Sequence, residues 1–181
     1  MDIKALINRI QAGDTAAFAE VVKHYERPLF GFLGRMGLTQ GHAEEIAQEA
    51  LVRVWRNFAN YDAQRAEFST WLFSLARNLA LNELARASNR YEVMTGDEFP
   101  EMACQRPQPL ALLLADEQRQ LLQAALRKLP PADRSALALA YIEDLDLAAI
   151  ARIEGCSTGA IKTRLHRAKR KLRELLEANH G

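Results

Sequence analysis

Seven lysines and arginines fall between Lys162 and Arg173 with no carboxylate among them, in a 181-residue chain whose formal net charge is only +1. Wound as a helix, this stretch gathers Ile161, Leu165, Ala168 and Leu172 into one narrow apolar arc. Thr163, His166, Arg167 and Arg170 then lie opposite the arc, with Lys162, Lys169 and Arg173 on one flank and Arg164 and Lys171 on the other. Cationic groups in such an array pair with a row of phosphates, and Arg, Thr and His side chains hydrogen-bond base edges. Taken alone, the pattern fits a solvated face, a helix lying on an anionic membrane or a helix in a partner's groove equally well.

The residues just upstream bear on that choice. In "LAAIARIEGCSTGAI", Ala151 allows close helix–helix approach, Gly155 accepts the positive φ of a sharp turn, and Ile161 fills the angle between two helices. The Ala-x3-Gly-x5-Ile spacing is that of a helix-turn-helix. Ser157 supplies an N-cap, so the second helix starts with free backbone N–H groups and its first two turns enter a major groove. Turn and charge together favour DNA.

A second set of chemically capable residues lies in "YDAQRAEFSTWLFSLARNLALNELAR". Trp71, Asn78 and Asn82 share one flank of a helical stripe, and Arg77 faces outward. Amides read base edges and aromatic rings stack on unpaired bases. Spacing alone leans towards Trp71 in a core and solvated asparagines. "EEIAQEALVRVW" adds an acidic and amide patch of Glu44, Glu45, Gln48 and Glu49 beside an apolar seam, which by itself reads as a solvated face.

These side chains need elements to hold them, and almost every segment has helical period with no alternating strand pattern. A short helix over about Ile3–Ile10 is expected to stop at Gly13. Asp14 and Thr15 cap the next, which Pro28 kinks or restarts. A third spans about His42–Phe58, with Ile46, Ala50, Val54 and Phe58 inward, and a fourth about Phe68–Arg86. From Asn89 to Pro109 periodicity dissolves amid three prolines, a linker signature. Helical pattern then resumes, and Pro130-Pro131 divides two more helices. The expectation is an all-α chain of two helical domains, 1–92 and 112–181, joined by a flexible linker at 93–111.

Composition narrows the function. Residues 1–92 carry 11 basic and 11 acidic side chains, whereas 113–181 carry 12 and 9, so the basic excess is C-terminal. No signal peptide or membrane-spanning run is visible, which implies a soluble, cytoplasmic protein. Cys104 and Cys156 form no ligand spacing or disulfide framework, and the four histidines are scattered, so neither a metal nor another cofactor is expected. Residues 1–92 hold no phosphate-binding Gly-rich loop and no nucleophile–base signature, which argues against an enzyme and against a small-molecule substrate.

In order, "HAEEIAQEALVRVWRNF", "FSTWLFSLARNLALNELAR", a variable linker and "LRKLPPADRSALALAYIEDLDLAAIARIEGCSTGAIKTRLHRAKRKL" resemble a bacterial RNA polymerase sigma factor of the extracytoplasmic-function (ECF) group over nearly the whole chain. The resemblance implies a sigma-2-like and a sigma-4-like domain that bind core RNA polymerase and promoter DNA. It assigns Glu44, Glu45, Gln48, Glu49 and Arg53 to the polymerase. It assigns Tyr61, Phe68, Trp71, Arg77, Asn78, Asn82 and Arg86 to the −10 element and its melting. Ser157, Thr158, Lys162, Thr163, Arg164, His166, Arg167, Lys169 and Arg170 go to the −35 element. It also implies an anti-sigma factor, often membrane-anchored, as a regulatory partner. "DLDLAAIA" departs from the family's commoner "GLSYEEIA". A free-standing DNA-binding regulator, with residues 1–92 as a dimerisation module, is the competing reading of the residues alone.

Overall fold

The structure, a computed structural model, describes residues 2–93, 110–142 and 145–178, and side chains within 2–88, 117–142 and 145–178. Among these residues the chain forms α-helices, one 3-10 turn and no strand. The N-terminal bundle is α1 (Ile3–Gln11), α2 (Ala16–Arg35), α3 (Gln40–Arg56), a 3-10 turn at Phe58–Asn60, and α4 (Phe68–Val93). The starts of α1, α2 and α3 are capped by short polar side chains, which satisfy N–H groups that a first turn leaves open. Asp2 Oδ1 accepts from the Ala5 N–H at 3.1 Å and Thr39 Oγ1 from the His42 N–H at 3.4 Å. Ahead of α2 it is Asp14, and not Thr15, that caps, its Oδ1 accepting from the Ala16 N–H at 3.2 Å.

Pro28 neither breaks nor restarts α2, which is continuous through it. An interior proline costs roughly 3 kcal/mol. Tyr25, Leu29, Phe32 and Leu33 around it are at most 2% exposed, and burying such side chains contributes roughly 1.5–3 kcal/mol each. Tertiary burial wins. At the far end, α3 stops at Arg56, two residues before the expected end. The chain re-enters as the 3-10 turn that still buries Phe58.

The C-terminal bundle is α5 (Leu110–Arg127), α6 (Pro131–Leu139), α7 (Leu147–Glu154) and α8 (Thr158–Ala178). Pro131 occupies the first turn of α6, where its missing N–H has no intrahelical role. Most of the expected linker, residues 94–109, lies outside the described residues, and so does Cys104. α4 runs past the expected Arg86 to Val93.

The two bundles do not stand apart. α7 packs on α4 and α6 on α2, and one continuous apolar core passes through both. At the α2 end the Arg35 guanidinium sits over the Tyr141 ring, 5.3 Å from its centroid. Gly37 turns the chain there with φ +93°, and a Cβ built on it would meet Arg134 Nη1 at 2.5 Å. Arg134 is itself 8% exposed. Gly37→Ala is therefore expected to lose about 1–2 kcal/mol from the left-handed backbone alone. Urea denaturation checks this, and an unchanged midpoint would show that the turn relaxes freely. No helix among the described residues is long and apolar enough to cross a membrane.

Candidate nucleic-acid interface

The turn between α7 and α8 is built from three local devices. Asp146 Oδ1 accepts from the Ala149 N–H at 2.7 Å to start α7. Gly155, at φ 65° and ψ 35°, ends it in the left-handed region, and the Cys156 N–H donates back to the Ala151 carbonyl at 3.0 Å. Ser157 Oγ then accepts from the Ala160 N–H at 3.1 Å, capping α8. Ala151, Ile161, Leu165 and Ala168 are buried, which fixes α8 by its apolar arc and turns the rest outward.

Ser157, Thr158, Lys162, Thr163, His166, Arg167, Lys169 and Arg170 are all exposed on that outward face. Thr163 Oγ1 donates to the Gly159 carbonyl at 3.1 Å, and Arg167 Nη2 reaches Asp133 Oδ1 at 3.4 Å. Arg164 departs from the expected set. Its Nη1 donates to Glu154 Oε2 at 2.9 Å and its side chain is 24% exposed, because the flank it occupies meets the end of α7.

In the N-terminal bundle an aromatic cluster closes the loop between the 3-10 turn and α4. Tyr61 and Trp71 stack with centroids 5.1 Å apart and planes at 21°, and Phe58 and Phe68 pack against both. The Tyr61 hydroxyl donates to the Ala66 carbonyl at 2.9 Å. Burial first, then the Glu67 and Asp62 carboxylates, push this phenol up to about 12, so it stays a neutral donor. Beside the stack lies a recess of about 430 Å³ that Trp71 shares with Thr70, Ser74, Asp62 and Arg152.

The structure brings Tyr61, Phe68 and Trp71 together but not as three open rings. Phe68 is 2% and Tyr61 8% exposed, so both are core supports, while Trp71 is half-buried at the recess. Asn78, Asn82 and Arg86 are exposed along α4. Arg77 corrects the expectation that it faces outward. It points away from its own bundle, yet its Nε and Nη2 donate to Glu154 Oε1 and Oε2 at 2.8 and 3.0 Å, leaving it 15% exposed under α7.

On α3, Glu44, Glu45, Gln48, Glu49 and Arg53 are exposed, with Arg53 Nε donating to Glu49 Oε1. Sequence reasoning missed two neighbours. Val52 and Trp55 are each 41% exposed, with Trp55 held by Phe18 at 4.8 Å between centroids. Both lie off the inward stripe of Ile46, Ala50 and Val54, and that offset was the available signal. Together they make an exposed apolar spot beside the acidic row.

Comparison with known proteins interprets this pairing of faces. Residues 21–90 match the family model "Sigma-70 region 2" and residues 119–172 match "Sigma-70, region 4". The ECF RNA polymerase sigma factor SigW of Bacillus subtilis (strain 168) is 32% identical over 183 residues, covering 97% of this chain and 97% of that one. The chain belongs to the ECF RNA polymerase sigma factors. The ECF RNA polymerase sigma factor SigK of Mycobacterium tuberculosis (strain H37Rv) is 29% identical, across 98% of this sigma factor and 95% of its own length. The fold is that of CnrH in complex with the cytosolic domain of CnrY, with a TM-score of 0.69, 22% identity and 96% of each chain covered. A second match, the sigma factor RpoE in complex with the anti-sigma factor NepR from Bartonella quintana, has a TM-score of 0.69 and 24% identity over 88% of this chain and 96% of that one. This sigma factor acts in transcription initiation. Its region 4 match contains the α7–α8 turn and its region 2 match the aromatic stack and the α3 face, while the recess beside Trp71 is lined from both, Arg152 coming from region 4.

Proposed function

We propose that this sigma factor, acting in the cytoplasm, joins core RNA polymerase through the exposed row Glu44, Glu45, Gln48, Glu49 and Arg53, with Val52 and Trp55 as the apolar anchor. Acidic rows flanking an apolar centre suit a basic, partly apolar partner surface. The outward face of α8, from Ser157 to Arg170, takes the −35 duplex in its major groove. Arg167 and His166 point at bases while Lys162, Lys169 and Arg170 meet phosphates. Units bounded at about 1–92 and 112–181 engage DNA independently, with residues 93–111 as the tether that spans the two elements.

At the −10 element the recess beside Trp71 receives an unpaired base. Flipping costs a few kcal/mol, and stacking on an aromatic face offsets it by roughly 1–3 kcal/mol. Asn78 and Asn82 offer amides to the displaced strand, and Arg77 and Arg86 offer charge to its backbone. Melting is then driven by binding energy, with no covalent chemistry in this chain. Phe68 and Tyr61 act by holding Trp71 in place. An anti-sigma factor is the natural regulator, a reading supported by the anti-sigma partner of the Bartonella RpoE fold relative.

The observation that carries this reading is the occurrence, in one chain, of an open helix-turn-helix face and an aromatic recess within the two family matches. Run-off transcription with core polymerase tests it. Specific transcripts are expected only when both proteins are present. Their absence on a promoter mapped by overexpression would favour the free-standing regulator. In the same holoenzyme Lys169→Ala is expected to weaken DNA binding on all sequences and to reduce the salt slope by about one. An unchanged slope would remove Lys169 from the phosphate contacts.

A further inference from the structure

The seam between the bundles contains a buried charge cluster centred on Glu154, a residue with no part in the DNA or polymerase roles above. Glu154, the last residue of α7, has no exposed side-chain surface. Its carboxylate is saturated: Arg77 grips both oxygens, Arg164 Nη1 donates to Oε2 at 2.9 Å, and the Ser135 hydroxyl donates to Oε1. Ser135 Oγ also accepts from Arg77 Nε at 3.1 Å. Arg77 belongs to α4 and the other three residues to the C-terminal bundle. One carboxylate thus joins an arginine of the −10 helix to an arginine of the −35 helix.

We infer that Arg77, Glu154, Ser135 and Arg164 form a reversible latch that holds the free sigma factor closed and withholds its −10 surface until polymerase opens it. Closure and function compete for the same groups. With Arg77 locked to Glu154 its guanidinium is unavailable to DNA, and Arg152 of α7 lies in the recess beside Trp71. The consequence for promoter melting rests on the reading of Arg77 and that recess given above; closure itself does not.

The cluster's composition explains why it opens. A buried ion pair is a weak net source of stability, because desolvation offsets the attraction. Here two guanidiniums share one carboxylate, so release of Arg77 leaves Glu154 still paired with Arg164 and no buried charge orphaned. A contact that is geometrically specific, bidentate and cheap to release favours one closed arrangement without fixing it. The cation–π contact of Arg35 with Tyr141 also joins the two bundles and, at an exposed ring, is likewise weak.

Small-angle scattering of the full-length free protein, without polymerase or DNA, tests the latch. Wild type is expected near the radius of gyration of one compact body of this length, about 16 Å. Glu154→Gln keeps the shape and removes the charge, and Arg77→Gln removes the inter-bundle arm while retaining the Glu154–Arg164 pair. Each is expected to raise the radius above the wild-type value, with helicity unchanged by circular dichroism. Affinity for core polymerase should rise on the order of five- to ten-fold if the wild type is open about 10–20% of the time. An extended wild type, or two compact variants, would overturn the latch. Expansion without tighter core binding would overturn its inhibitory role. Should Glu154→Gln lose helix, Arg77→Gln decides alone. If no form binds core polymerase, the inhibitory role falls with the sigma reading, whereas the radius still decides closure.

Discussion

Phe68→Ala is expected to cost about 3–5 kcal/mol of folding stability, the largest single effect among the residues assigned to DNA. The ring is 2% exposed and packs against Tyr25 at 5.4 Å, Tyr61 at 5.8 Å, Trp71 at 6.0 Å and Phe58 at 6.1 Å between centroids. Truncation removes one wall from four other rings at once. They cannot all collapse into the space, since Tyr61 is tied by its hydroxyl to Ala66 and Tyr25 belongs to α2. A residual cavity therefore adds to the lost transfer free energy. Urea denaturation followed by far-UV circular dichroism measures it. A loss below about 1 kcal/mol would mean that the ring is not enclosed as the structure has it. Because the Tyr61–Trp71 stack leans on Phe68, the open complex should weaken even in protein that remains folded. Permanganate footprinting separates that effect from instability, which duplex binding at the −35 element would also register in a partly unfolded preparation.

The same aromatic cluster marks the limit of what the sequence made legible. Helix existence, the inward stripe of α8, the positive φ at Gly155 and the Ser157 cap each follow from local rules acting within a few residues, and the structure has each of them. Phe68 lies on the inward stripe of α4 with Leu72, Leu75 and Leu79, and that period already pointed to a core ring. Tyr61 was different: it borders a polar loop with no period, so nothing local distinguishes a ring that stacks on a base from one that closes a core. Only packing against Phe68 and Trp71 across that loop decides it.

Arg77 and Arg164 were misjudged for a related reason. A helical wheel correctly turns each away from its own helix's apolar arc, but it cannot report that a second layer lies over that side. In this fold the second layer is α7, and the shared acceptor is one buried carboxylate that reads, in sequence, as an ordinary solvated glutamate at a helix end. Pro28 shows the converse: a strong local breaker yielding to the burial of Tyr25, Leu29, Phe32 and Leu33. Periodicity is a one-helix property, whereas docking of two bundles is not.

Arg167→Ala is expected to separate binding from stability most cleanly. The side chain is 62% exposed, and its ion pair to Asp133, at 3.4 Å, is long. Exposed pairs of this kind contribute about 0–1 kcal/mol, so the variant should unfold close to the wild-type midpoint. Asp133, with 11% side-chain exposure in the first turn of α6, is by contrast fixed in place. It therefore limits where the guanidinium points, while most of the Arg167 side chain stays exposed to a duplex that docks on this face. Bidentate recognition of a guanine edge depends on such restraint, and loss of one such contact costs roughly 1–3 kcal/mol. The holoenzyme carrying Arg167→Ala should accordingly lose about 5- to 150-fold in affinity for its cognate −35 element while tolerating a change at one base position that wild type rejects. Affinity measured across all single-base variants of that element decides between roles. Discrimination lost at one position identifies a base contact, and a uniform loss across the set would move Arg167 to the phosphates beside Lys169. Arg167→Lys sharpens the distinction: it keeps the charge but not the fork, so it should restore binding only if a phosphate is the partner.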